Sequence, residues 1–373
     1  MIIGWKKQVL IDLKSKYSKI LKNTNDPTKE LALMDTIGSI NAVLDAMNPI
    51  NKKLFNIREN HKPTIEADLM FLRYYGLFAP YLRDFAQDCR YLDDSDTDLG
   101  ILNDSSLKLL NTVTSFYKGT NAYYANKYKS LIEGDSLRLR LLSNKKNNAG
   151  CTFPIMGTSI VYMTMTRVNT LQDYLTLAHE MAHGVAYYIN PENMMDDDRE
   201  MYSETISIFF ETLANDYVSN LNNNPKDGLS VKIDTFNDYL HTSRMVCAMM
   251  DALSFLSARD LYNRKKIIGF LSEYSCCDKD DIELLLNNCF SEMFKYVNSY
   301  LVAVELYLIY LEDKDKAFNL LKQMSIVEVS DPRKYLAYLN SLGIYPGTNI
   351  EQYASMLTEE KKKYSKDKVV LKK

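Results

Sequence analysis

Helix breakers are scarce in this chain, and that scarcity limits its possible folds more than any other feature. Thirteen glycines and nine prolines are spread over 373 residues, too few for the frequent tight turns of an all-β sandwich or barrel. Apolar residues recur at three and four, as in Trp5, Val9, Leu13, Tyr17, Ile20 and then Leu31, Met34, Ile37, Leu44, Met47. That period is helical. Turn-forming clusters at Asn23 to Pro27, Asn48 to Asn51 and Asp93 to Asp104 separate one helix from the next. The expected fold class is mainly α, with 1–148 as an N-terminal helical region and 359–373 as a charged C-terminal tail that frays into solvent.

One segment departs from this pattern. Asn147-Asn148-Ala149-Gly150 opens a stretch that runs through Pro154 and Gly157 into Ser159 to Thr166, which alternates and is rich in β-branched residues. A strand is expected there. The helical pattern then resumes. Thr170-Leu171-Gln172-Asp173 has the form of a capping box and Asn190-Pro191 is a stop signal, so 171–189 should be one helix.

That helix contains His179-Glu180-Met181-Ala182-His183. Histidines four apart lie on one helical face a turn apart, so both imidazoles can reach one ion, and Glu180 projects beside them toward a metal-bound water. Only four histidines occur in the chain, which makes a chance match in a helix with both ends marked improbable. A catalytic zinc needs a third protein ligand and one open position. The next histidine is His241, too distant for the H-x-x-G-x-x-H arrangement, so a glutamate on a following helix is the remaining common solution. Glu204 meets that need. Twenty residues, 184 to 203, separate it from His183, and it lies about a turn into a helix patterned by Tyr202, Ile206, Phe209, Phe210, Leu213 and Tyr217, where an unpaired carboxylate would be costly. Asp196, Asp197 and Asp198 are expected to cap that helix, and Glu211 either supports the ligands or faces solvent. The expected cofactor is one Zn2+ per chain, held by His179, His183 and Glu204, with Glu180 as catalytic base.

The surrounding residues resemble the oligoendopeptidase F and thimet oligopeptidase family of zinc peptidases. Three blocks carry the resemblance: Ile132-Glu133-Gly134-Asp135 through Lys145 to Cys151; Leu171 to Tyr188 with Ser203-Glu204 through Phe210-Glu211; and Met293 to Tyr300 through Phe318 to Leu321. The resemblance implies a helical shell around an active-site cleft, a small β-sheet near the zinc helix whose edge strand lines the site, and a zinc peptidase catalytic region over 149–358. It further implies short oligopeptides as substrates and a tyrosine-bearing C-terminal helix. On that helix Tyr296 and Tyr300 are four apart, so both phenols are candidates to face the cleft, one for the oxyanion and one for the substrate. An extended peptide would add to the edge of Ser159 to Thr166. The region before His179 and the loop from His183 to Glu204 are both shorter than the family's.

Charge and composition narrow the partners. Forty-five basic and 48 acidic residues are interspersed to a net −3, which gives no field for nucleic acid. Lys6, Lys7, Asp12, Lys14 and Lys16 interrupt the first twenty residues, so a secretory signal is not expected, and Tyr296 to Leu311 is too short and too interrupted to span a membrane. Six scattered cysteines, among them the adjacent Cys276 and Cys277, fit reduced thiols and a cytoplasmic location. Two other readings stay open: a thermolysin-like zinc peptidase with a large sheet upstream of His179, and a non-catalytic helical binding protein that retains the motif.

Overall fold

The computed structural model describes the chain except residues 1–10, 21–64, 94–98, 103, 135, 144–148, 155–160, 190–196, 262, 275, 287–289, 327–331 and 371–373. The chain forms two compact units, one of 1–63 with 154–160 and one of 64–153 with 161–373. In the first, residues 11–20 are helical. The turns expected at Asn23 to Pro27 and Asn48 to Asn51 lie outside the described residues.

The second unit opens with α1 (Ile65–Tyr75), a 3-10 turn (Gly76–Phe78) and α2 (Ala79–Asp88), followed by α3 (Ser106–Lys118) and α4 (Ala122–Glu133). Local chemistry sets these limits. Ser105 caps α3 by accepting from Lys108 N at 3.1 Å, Asn121 caps α4 by accepting from Tyr123 N at 2.9 Å, and Gly119 and Gly134 follow their last turns.

Three strands come next: β1 (Leu137–Ser143), β2 (Ala149–Pro154) and β3 (Val161–Arg167), in the spatial order β1-β3-β2. β1 and β3 are parallel, with Leu137 opposite Val161 and Leu141 opposite Met165. Two expectations are corrected here. The helical pattern does not run unbroken to 148, because Leu137-Arg138-Leu139-Arg140-Leu141 alternates with period two, its leucines packed on the core. The strand expected over 159–166 is also not an edge. β3 is paired on both sides, and it is β2 that lies at an edge of the sheet.

Helix α5 (Leu171–Ile189) matches the expected span. Asp173 closes its N-terminus further back than a capping box would, accepting from Val168 N at 2.8 Å and Asn169 N at 3.0 Å. Then follow α6 (Asp197–Leu221), α7 (Pro225–Phe255), three short helices α8 (Ala258–Leu261), α9 (Arg264–Leu271) and α10 (Lys279–Leu284), then α11 (Phe290–Glu312), α12 (Lys314–Ile326), α13 (Pro332–Ser341) and α14 (Ile350–Val370). The charged tail therefore does not fray from 359; α14 carries it in helical form to Val370. Among the described residues no helix is long and apolar enough to cross a membrane.

Buried aromatic rings hold α5 in place. Tyr117 stacks on Tyr128 at 4.3 Å and on Phe210 at 5.1 Å, and its hydroxyl donates to Ala178 O at 2.7 Å, one residue before His179. Gly184 permits close approach: a Cβ there would sit 2.9 Å from Leu131 of α4. On the other side, Ser299 of α11 donates to Met201 O of α6 at 2.9 Å. The helix bearing the two histidines is thus fixed by groups adjacent to them in sequence, and the one bearing Glu204 by a carbonyl three residues before it.

Candidate metal centre

The i, i+4 spacing on α5 brings the imidazoles of His179 and His183 together, with their Nε2 atoms 3.2 Å apart. α6 supplies Glu204, whose Oε1 is 3.4 Å from His183 Nε2 and whose Oε2 is 3.6 Å from His179 Nε2. Ligands about 2.0 to 2.2 Å from a tetrahedral zinc lie about 3.3 to 3.6 Å from one another. The three separations are close to that spacing, with each oxygen of Glu204 facing a different imidazole, and one donor atom from each residue lies within 4.8 Å of the others. All three side chains are buried or nearly so, and among the described residues this is the one group of three such ligands whose donor atoms converge.

The outer nitrogens of both rings are occupied. His179 Nδ1 faces Glu211 Oε2 at 2.8 Å, and His183 Nδ1 faces Ser203 Oγ at 2.7 Å. Nδ1–H donation to these oxygens would leave the Nε2 lone pair of each neutral ring for an ion between them. Burial pushes His183 down to about 4, which keeps that ring neutral. For His179 burial lowers the pKa, but Glu204 and Glu211 raise it by more. The two carboxylates that favour a proton there also favour a metal cation. Glu204 is pushed up by burial and brought below its ordinary value by His183, His179 and the Tyr296 hydroxyl. Its Oε2 is buried with no hydrogen-bond partner among the described residues, a costly arrangement for a carboxylate that a cation held by the three residues would relieve. The donor set fits zinc: two imidazole nitrogens and one carboxylate, with a fourth position open.

Glu180 points toward β2. Its Oε2 accepts from Thr152 Oγ1 at 2.5 Å, and a Cβ added at Gly150 would lie 2.6 Å from Glu180 Cγ. Glycine at 150 is therefore what lets the edge strand pass over the carboxyl. Burial raises the Glu180 pKa, a shift that His179 and Thr152 reduce but do not cancel.

The two expected tyrosines part company. Both line a cavity of about 450 Å³, together with Asp238, Tyr239 and Glu211, the acid that faces His179. Tyr296 is 39 % exposed and lies by Glu204, whereas Tyr300 is 2 % exposed, stacked at 4.1 Å on Tyr239. His241 is placed elsewhere, between the Tyr91 hydroxyl at 3.2 Å and Asp281 at 3.3 Å. Sequence reasoning missed Thr152, Ser203 and Tyr239. Ser203 had a weak signal, its position one residue before a ligand; Thr152 and Tyr239 had none beyond the unexplained break in helical pattern around 150.

No protein-family model matches this sequence, and no curated protein matches it. Solved structures do. An X-ray structure described as an oligoendopeptidase F superposes with a TM-score of 0.51 at 12% identity, covering 97% of this chain and 76% of that one. PZ peptidase A with an inhibitor superposes with a TM-score of 0.52 at 12% identity, covering 94% of this chain and 75% of that one. A mainly helical unit with a three-stranded sheet against the histidine helix is common ground with what the sequence resembles, and the chain has an oligoendopeptidase F-like fold.

Proposed function

We propose that this chain is a zinc-dependent endopeptidase that hydrolyses short peptides in the cytoplasm. The observation that carries the reading is the convergence of His179, His183 and Glu204, whose donor atoms lie within 4.8 Å of one another, beside a buried glutamate on the histidine helix. His179, His183 and Glu204 would hold the ion. When bound, zinc supplies Lewis acidity toward the scissile carbonyl and lowers the pKa of a water toward ~7. Glu180 takes the proton of the attacking water and returns it to the leaving amine, and Thr152 donates to one of its carboxylate oxygens. Tyr296, beside Glu204 and open to the cavity, donates to the oxyanion. A peptide would lie along the outer edge of β2, where backbone pairing grips an extended chain with little regard to sequence.

Two peptidases of similar fold support this reading. A thermolysin-like enzyme with a large upstream sheet has less support, since the described residues from 65 to 133 are helices and loops. The deciding measurement is metal content together with turnover of a mixed peptide library before and after chelation. One zinc per chain, with cleavage lost to chelator and restored by zinc, is the expected result; a zinc-loaded chain that cleaves nothing in the library would leave only a binding role.

A further inference from the structure

The triangle and its base leave one group beside the centre without a task. Tyr239, on α7, lines the same cavity as Glu211 and Tyr296. After burial, the influences that push its hydroxyl well above the ordinary phenol value are Glu211, then Glu204, then Tyr296. Half-buried, its side chain thus shares that cavity with an acid bonded to His179 and with the proposed oxyanion donor. Tyr239 makes no hydrogen bond among the described residues. Its ring is nevertheless held firmly, face to face with Tyr300 at 4.1 Å and 9°. Tyr300 has a different setting: its side chain is 2 % exposed, and its hydroxyl is buried with no hydrogen-bond partner among the described residues.

We infer that Tyr239, not Tyr300, is the second phenol of the site, a catalytic residue that donates with Tyr296 to the substrate carbonyl oxygen as negative charge develops on it. Tyr300 serves as the surface against which Tyr239 is stacked. This inference rests on the peptidase reading. A donor with an idle hydroxyl and a fixed ring needs no reorganisation when the oxyanion forms, which is the condition under which such a group contributes most.

The test compares Tyr239→Phe with Tyr300→Phe in the zinc-loaded protein, since both retain the stacked rings. Three quantities are measured: zinc content, kcat and KM on a cleaved peptide, and the Kd of a phosphinic pseudopeptide, whose tetrahedral phosphorus carries the oxyanion. Tyr239→Phe should keep its zinc and KM but lose about 10²- to 10³-fold in kcat, with weaker pseudopeptide binding, as when one oxyanion donor is removed. Tyr300→Phe should match wild type in all three. Wild-type kcat and pseudopeptide affinity in Tyr239→Phe overturn the inference, as does loss of zinc, which would make Tyr239 part of the scaffold. If the wild-type chain itself holds no zinc and cleaves no peptide, the peptidase reading falls and takes this one with it; an active, zinc-loaded wild type isolates the result to Tyr239.

Discussion

Two helices of this protein carry a pair of ring-bearing polar residues at the same spacing, and the pairs end in different places. On α5, His179 and His183 converge until their inner nitrogens are 3.2 Å apart. On α11, Tyr296 stays 39 % exposed beside an acid while Tyr300 is 2 % exposed in the core. Four residues advance about 40° around a helix, which is small enough to call one face and large enough to straddle a boundary. What separates the outcomes is the partner. A single helix, α6, grips the outside of both imidazoles through Ser203 and Glu211 and places Glu204 between them. The α11 face instead borders one cavity at both positions, and the ring of Tyr239 covers the second. Spacing selects a face; the opposing element decides whether both residues on it share one environment.

The most severe way to break the histidine pair is to remove the third vertex. Glu204→Ala should bring zinc from one per chain to nearly none and abolish hydrolysis, because two imidazoles alone make an incomplete site. Metal analysis of purified protein checks this, and a full zinc complement with normal turnover would exclude Glu204 from the site. Glu180→Gln is the sharper companion. The amide keeps the size of the side chain but accepts no proton, so zinc content and fold should persist while kcat drops about 10²- to 10⁴-fold. Near-wild-type cleavage by that variant would mean another base serves.

On the tyrosine side the expected loss is smaller. Tyr296→Phe should lower kcat about 10²- to 10³-fold with zinc unchanged. Steady-state kinetics on one defined peptide is sufficient, and a change confined to KM would reassign Tyr296 to ground-state binding.

The same contrast explains what could be read from the sequence. The span of α5 was legible because both ends carry signals and the motif lies between them. Glu204 was legible because an acid among Ile206, Phe209 and Phe210 needs a reason to be there. The position of β3 between two neighbours was not, since it depends on parallel pairing with β1, which no local pattern encodes. β1 itself left a readable trace, Leu and Arg alternating from 137 to 141, that the surrounding helical period concealed. Tyr239 left none. A tyrosine on a long helix in a chain of 27 tyrosines acquires meaning only when α6 and α11 are packed against it.

The smallest expected effects come from the groups that hold the imidazoles from outside, and they should differ from each other. Glu211 offers His179 a charged acceptor at 2.8 Å, which both orients the ring and strengthens its donor nitrogen; Ser203 offers His183 only a neutral hydroxyl at 2.7 Å. The His183 ring has a further restraint, Tyr187 lying nearly parallel to it at 6.1 Å, and its side chain is less exposed than that of His179, 9 % against 18 %. Loss of such a support typically weakens metal binding about 10- to 100-fold. Glu211→Gln should fall toward the upper end of that range and Ser203→Ala toward the lower end, with hydrolysis at saturating zinc little altered in Ser203→Ala. Competition titration against a chelator of known zinc affinity measures both. If the serine variant loses more affinity than the glutamine variant, orientation of His183 outweighs charge at His179, and the two ends of the histidine pair are not held in the way their outer contacts indicate.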